Sequence, residues 1–263
     1  MRDTSERREQ IARMLKEKGS VQVLGLTSMF DVSGVTIRKD LRFLENQGIA
    51  VRMYGGAILN DASLNETSTA DSESALDRKQ TLHIEEKAHV GKLASSLVND
   101  GDSILLDSGS TTLHLASCLG DKEDITVVTN SLNIVFELLP YKQIEVMLLG
   151  GSLRRKSESF FGTSAMSTLR DLHVDKLFLG VDGFHMERGI TTHFEAEAQL
   201  NRLMCEVASQ IIVVTDSSKF GNVCLHKIIE PSGVDKIVTD SKIPNDYLQG
   251  LESMGIDVLR VEP

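Results

Sequence analysis

Cysteine is scarce in this chain and follows no pairing pattern. Cys118, Cys205 and Cys224 are odd in number and far apart, without a C-x-x-C spacing. That excludes a disulfide framework and a thiolate zinc site, and it suits a reducing compartment. The seven histidines are equally dispersed and form no H-E-x-x-H, so no metal ligand set is expected. Long apolar runs are missing too: none reaches the roughly 18 residues that a membrane-spanning helix needs. The opening residues, MRDTSERREQ, are charged and lack the apolar centre of a secretory signal. There is no internal repeat. The expectation is a cytoplasmic globular protein with no cofactor, no resident metal and no membrane partner.

What is present is enough for two domains. The chain has 263 residues, 41% apolar and 25% charged, so one domain is large enough for a substantial core. A net charge of −10 taken alone argues against nucleic acid. Its distribution points the other way. Residues 1–60 hold ten Lys/Arg and seven Asp/Glu, whereas the remainder holds 18 and 31. A +3 head on a −13 body is compatible with DNA contact through the head alone.

The head reads as a winged helix-turn-helix over residues 1–59. A first helix spans Ser5 to Lys18 with Ile11, Met14 and Leu15 on its stripe, and Gly19 stops it. A short helix follows at Leu24–Phe30. Asp31-Val32-Ser33 turns the chain and Ser33 caps a third helix that Gly48 ends. On that helix Ile37, Leu41 and Leu44 share an inner face, and Val35, Arg38, Lys39 and Arg42 point away from it. A buried seam behind a basic face is what insertion into the major groove requires. Arg and Lys reach guanine edges or phosphates, while Ser33 and Thr36 serve backbone or bases at the amino end. Ile49–Met53 and Ala57–Leu59 form a small wing turned at Gly55-Gly56, with Arg52 and Tyr54 in reach of adjacent phosphates. The competing reading is a solvated basic helix whose charges Asp40 and Glu45 neutralise. Cap, turn, helix and wing arriving in order outweigh it.

Residues 60–75 (NDASLNETSTADSESA) are polar and acidic without a hydrophobic period, and read as a linker. From 76 to 263 helices alternate with apolar runs at 103–106, 125–128, 145–149, 176–181, 210–214, 236–238 and 258–261. That alternation predicts an α/β domain built on an open, mostly parallel sheet. Ligands of such sheets bind beyond the carboxyl ends of the strands. The loop Asp107-Ser108-Gly109-Ser110-Thr111-Thr112 sits at one such end, directly before a helix. Its glycine permits a tight turn, and its N–H groups and hydroxyls converge where a helix begins, which favours a phosphate. Asp107 cannot attract a phosphate by charge and is assigned to a sugar hydroxyl or to bracing the loop. Further strand-end loops carry Thr129-Asn130-Ser131, Gly150-Gly151 with Arg154-Arg155-Lys156, Val181-Asp182-Gly183, Gly189-Ile190-Thr191-Thr192 and Asp216-Ser217-Ser218-Lys219. Any one is explained as a cap or a turn. Five in register predict a shared pocket, with Lys219 the best cation to face an anionic ligand.

The pattern S-x-x-T-I-R-x-D-L-x-x-L-E-x-x-G, followed by Arg52 and Gly55-Gly56-Ala57, is similar to the signature of the DeoR family of bacterial sugar-metabolism regulators. Gly34 departs mildly from it, removing a side chain that would read a base. The resemblance extends over nearly the whole chain. It implies an effector domain related in fold to sugar-phosphate isomerases, with a phosphorylated sugar as inducer at the Asp107–Thr112 loop. The effector contacts it suggests are Asp107, Ser108, Gly109, Ser110, Thr111, Thr112, Thr129, Asn130, Ser131, Gly151, Asp182, Thr192, Glu195 and Lys219. Residues 192–197 and 201–205 are most similar to regulators of amino-sugar operons of the Aga type. The stretch DGDSILLDSGST resembles hexitol-operon regulators equally.

The alternative is a sugar-phosphate isomerase or deaminase fused to a DNA-binding head. His193 with Glu195, or Asp182 with His185, would then transfer protons. The deaminase arrangement does not map onto 182–197, and fold kinship alone carries no activity. The expectation is therefore a repressor without catalytic residues, oligomeric as a dimer or tetramer, bound to operator DNA and released by an amino-sugar or hexitol phosphate.

Overall fold

The computed structural model describes residues 4–30, 32–46, 49–53, 56–59 and 83–261. The chain divides into two compact units, 1–69 and 70–263. The expected linker at 60–75, the stop at Gly48, the turn at Gly55 and the wing's Tyr54 lie outside the described residues.

In the first unit α1 is Thr4–Lys18, α2 is Val23–Phe30 and α3 is Gly34–Asn46. Ile11 and Leu15 of α1, Leu26 of α2, and Ile37, Leu41 and Leu44 of α3 meet in one buried cluster. Their helical spacing places each set on a single face. Gly19 ends α1 at φ +74°, where its N–H returns to the Leu15 carbonyl at 2.8 Å. Such a left-handed residue at a helix end favours glycine.

The wing has one strand more than expected. Strand β1 (Ser20–Gln22) pairs antiparallel with β3 (Gly56–Leu59), which pairs in turn with β2 (Ala50–Met53). A Cβ on Gly56 would stand 2.1 Å from the Val21 carbonyl oxygen. Glycine here therefore serves the approach of two strands as well as the turn.

The second unit is built on seven strands: β4 (Ser103–Leu106), β5 (Thr126–Thr129), β6 (Glu145–Leu148), β9 (Val174–Gly180), β12 (Ala208–Val214), β14 (Lys236–Asp240) and β15 (Asp257–Val261). They form one sheet in the order β15-β14-β12-β9-β4-β5-β6. Every neighbouring pair is parallel. Both faces are covered, which explains why the strands read as continuous apolar runs. Leu105, Leu177, Leu179, Val213 and Ile237 pack on one face, and Ile104, Leu106, Phe178, Ile212 and Val238 on the other.

Helices α4 (Ile84–Ser95), α5 (Ser110–Ala116) and α6 (Leu132–Leu138) send Val90, Leu115 and Ile134 into the second face. Helices α7 (Thr163–Arg170), α8 (Glu195–Val207) and α9 (Asn245–Ser253) send Leu169, Met204 and Leu251 into the first. Two smaller sheets complete the unit. One is the hairpin of β7 (Ser152–Arg154) and β8 (Ser159–Phe161). The other joins β10 (Gly183–His185), β11 (Gly189–Thr192) and β13 (His226–Ile229). Among the described residues no helix is long and apolar enough to cross a membrane.

The strand order places the site. From β4 the chain steps outward through β5 and β6, then returns to lay β9 on the other side of β4. Connections therefore leave β4 and β9 in opposite directions, and the gap between them is the crevice where open parallel sheets hold ligands.

Candidate functional site

On the head, α3 presents the face its sequence predicts. Arg38, Lys39 and Arg42 lie away from its buried seam, and all three are exposed. Val35 beside them is 61% exposed. The Ser33 hydroxyl accepts the Thr36 N–H at 3.2 Å and shares a hydrogen bond with the Thr36 hydroxyl at 2.9 Å, so both belong to the cap. A Cβ on Gly34 would lie 3.4 Å from Arg38 Nη1, so the missing side chain leaves space for that guanidinium. Arg52 falls on β2 opposite Ala57, and its side chain lies outside the described residues.

Asp40 counts against the competing reading: it does not neutralise the basic face, but is 1% exposed and holds α1. Its Oδ2 accepts Arg7 Nε at 2.6 Å and its Oδ1 accepts Arg8 Nε at 2.8 Å. The Arg8 guanidinium also lies 4.0 Å over the Phe43 ring. Two cations of α1 thus fix the rotation of α3 about its own axis, and with it the direction of Arg38 and Arg42.

On the body, a cleft opens where β4, β9 and β12 end, the end of a parallel sheet at which ligands bind. Asp107, Ser108, Gly109, Ser110 and Thr111 line one wall, and Asp182, Thr192 and Lys219 face it. Gly109 and Gly180 come together there, a Cβ built on either lying 3.9 Å from the other's Cα. Side chains at those positions would occupy the crevice. Asp107 Oδ1 accepts the Ser108 N–H at 2.6 Å, a contact that braces the loop. Asp182 Oδ2 accepts the Thr192 hydroxyl at 3.0 Å. Asp216 also lines the cleft: its Oδ1 accepts the Ser218 N–H at 3.1 Å, while its buried Oδ2 has no hydrogen-bond partner.

Six of the expected contacts do not line the cleft. Thr112 is fully buried because its hydroxyl turns back onto the Asp107 and Gly109 carbonyls at 2.6 and 3.0 Å. Thr129 donates to the Leu106 carbonyl at 2.8 Å, and Ser131 caps α6. Asn130 stands behind the loop, its amide 3.5 Å from the Ser108 hydroxyl. Gly151, at φ +125°, lets the β7–β8 hairpin close, since a Cβ there would sit 2.4 Å from the Phe161 carbonyl oxygen. Glu195 is exposed and accepts from Gln199 at 3.3 Å. Glu197 lines the cleft instead, because two residues along a helix turn a side chain by about 200°.

Two further lysines reach the cleft. Lys156 arrives on the β7–β8 hairpin, and Lys87 comes from α4. Lys87 is 3% exposed. Gly91, one turn on, brings it there: a Cβ at 91 would lie 2.7 Å from the backbone of His114 and Leu115, so glycine lets α4 press onto α5. Burial, and then the Lys87 charge, hold the His114 imidazole below its usual pKa. A glycine within a helical lysine–histidine stretch was the available sequence signal for this contact. Burial, followed by the charges of Asp107 and Glu206, pushes the Cys205 thiol up to about 12.

The proposed proton-transfer pairs do not form. His185 Nδ1 takes the N–H groups of Glu187 and Arg188 at 3.2 and 3.3 Å, and His193 Nε2 faces the Cys224 thiol at 3.4 Å. No cluster of histidine, cysteine and carboxylate suited to a metal occurs among the described residues.

A basic-faced helix-turn-helix with a wing, and a ligand cleft at the switch point of a parallel sheet, define a ligand-responsive transcription regulator. The chain belongs to the DeoR family: residues 7–63 match the DeoR-like helix-turn-helix domain and residues 82–241 the DeoR C terminal sensor domain. It is 48% identical over 258 residues to a putative aga operon transcriptional repressor of Escherichia coli O157:H7, covering 98% of this chain and 94% of that protein. It is 34% identical to the transcriptional repressor GlcR of Bacillus subtilis (strain 168), covering 98% and 96%. A ribose-5-phosphate isomerase in complex with phospho-erythronic acid aligns with 53% of this chain and 55% of its own, at 20% identity and a TM-score of 0.40. The relatives are regulators, and this chain is a DNA-binding regulator, not an enzyme.

Proposed function

We propose that the protein represses a carbohydrate-utilisation operon and leaves its operator when a phosphorylated sugar fills the cleft. The observation that carries this reading is the composition of the cleft. The loop at Ser108–Thr111 offers N–H groups and hydroxyls at the start of α5, and Lys87, Lys156 and Lys219 converge on the same space. A phosphate is suited to that set. Asp182, Glu197 and Asp216 line the same cleft, and carboxylates accept hydrogen bonds from sugar hydroxyls or from an amino group. The relative from Escherichia coli O157:H7 is named for an aga operon, which favours an amino-sugar phosphate over a hexitol phosphate.

In this reading Ser33, Thr36, Arg38, Lys39, Arg42, Arg52 and Tyr54 contact DNA, with residues 60–75 joining a head of 1–59 to a sensor of 76–263. The protein works in the cytoplasm as a dimer or tetramer assembled through the sensor, presenting paired heads to repeated half-sites. Thermal unfolding against a panel of amino-sugar, hexose and hexitol phosphates tests it. A true effector at a hundred times its Kd stabilises the folded protein by about 2.7 kcal/mol. A panel that shifts nothing, or that shifts Lys219→Ala as much as the native chain, contradicts it.

A further inference from the structure

We propose that Cys224 is a covalent modification site, a nucleophilic thiol that His193 activates toward peroxides. The Cys224 Sγ lies 3.4 Å from His193 Nε2, a nucleophile and a base within reach of one proton. Both side chains are partly exposed, so a small oxidant has access. The pair is held in place by its surroundings. The Cys224 N–H donates to the Thr191 hydroxyl at 2.9 Å, and the Gly221 N–H donates to the Phe184 carbonyl at 2.8 Å. Gly183 allows the loop to lie flat on the β10–β11 hairpin, since a Cβ there would stand 2.6 Å from the Asn222 carbonyl oxygen.

The three cysteines differ in a way that supports the assignment. The Cys205 thiol, at about 12, stays protonated and inert. Cys118 has the Ser117 hydroxyl at 3.9 Å, a group without basicity. Cys224 has the imidazole.

With hydrogen peroxide the step balances. Nε2 takes the thiol proton, and the thiolate attacks one peroxide oxygen as the O–O bond breaks. The departing hydroxide recovers the proton from the imidazolium as water. Sulfur is oxidised by two electrons to the sulfenic acid and peroxide is reduced. The added oxygen would lie beside His193, next in sequence to Thr192 of the cleft, and on the loop that leads back to Lys219.

The test is to treat the native full-length protein with limiting hydrogen peroxide and a 1,3-dione sulfenate trap, then locate adducts by mass spectrometry. The expected result is capture at Cys224 first, on the order of tenfold faster than at Cys118 or Cys205. His193→Gln keeps a polar side chain and removes the base. It should slow Cys224 by a similar factor and leave Cys118 unchanged, which also reports an intact fold. The native comparison stands alone if that variant does not fold. Faster capture at Cys118 or Cys205 in the native protein, or an unchanged Cys224 rate in a folded His193→Gln, would overturn the assignment.

Discussion

Three residues carry separable roles. Arg38 lies on the exposed basic face of α3, and Arg38→Ala is expected to cost about 1–3 kcal/mol of operator binding with relaxed sequence preference if it reads a base. A loss uniform across sequences, with the salt slope falling by about one, would make it a phosphate contact. Asp40 is buried under Arg7 and Arg8, whose Nε atoms lie at 2.6 and 2.8 Å. Removing one partner of a buried pair strands the other charge, so Asp40→Ala should destabilise the head by about 3–5 kcal/mol. Urea titration followed on head amide signals measures this, and a change below about 0.5 kcal/mol, the range of ordinary surface substitutions, would contradict the clamp. The third is His114, whose folded pKa is depressed by burial and then by Lys87. Below its ordinary pKa of about 6.5 the unfolded chain binds the proton more readily. Its contribution is therefore intact above that pH and is lost as pH falls through the window beneath. His114→Gln should flatten the decline in body stability between about pH 7 and pH 5, and an unchanged profile would count against this.

Among the elements, the contact of α4 with α5 depends on one absent methyl group. Gly91→Ala would place a Cβ 2.7 Å from backbone atoms of His114 and Leu115. Backbone cannot turn aside as a flexible side chain does, so a loss of about 1–3 kcal/mol is expected. A weakened sugar-phosphate response should follow, because Lys87 lies one turn away on α4. Calorimetry and effector titration on one preparation check both, and full stability with a full response would refute this dependence.

The same contact marks where the sequence stops being legible. The parallel strands were readable because both faces are covered, so each reads as a short apolar run, as at Ser103–Leu106 and Lys236–Asp240. The exposed basic face of α3 was readable from its helical period. Short pieces paired at long range were not. Strand β1 has three residues, and its partner lies more than thirty positions away at Gly56–Ile58. At the cleft, the strand-end loops located Asp107–Thr111, Asp182, Thr192 and Lys219. Lys87 carries no such signal because only a helix-to-helix approach brings it in. Glu195 and Glu197 were distinguishable only once the start of α8 fixed their rotation.

At the scale of the whole molecule, function is partitioned by charge: a +3 segment at 1–60 precedes a −13 remainder. The acidic body opposes non-specific association with DNA, leaving affinity to the basic helix and wing. Regulation then requires that ligand and operator favour different states, and the coupling must be reciprocal. The most direct measurement is operator affinity, by titration with a DNA fragment that the protein itself selects from random sequence, with and without a saturating amino-sugar phosphate such as galactosamine 6-phosphate. Induction through the cleft predicts a weakening of about 5- to 150-fold in the native chain, an equal loss of sugar-phosphate affinity when operator is bound, and neither effect in Lys219→Ala, whose operator affinity alone is unchanged. Independent binding of sugar phosphate and DNA in the native chain would contradict it.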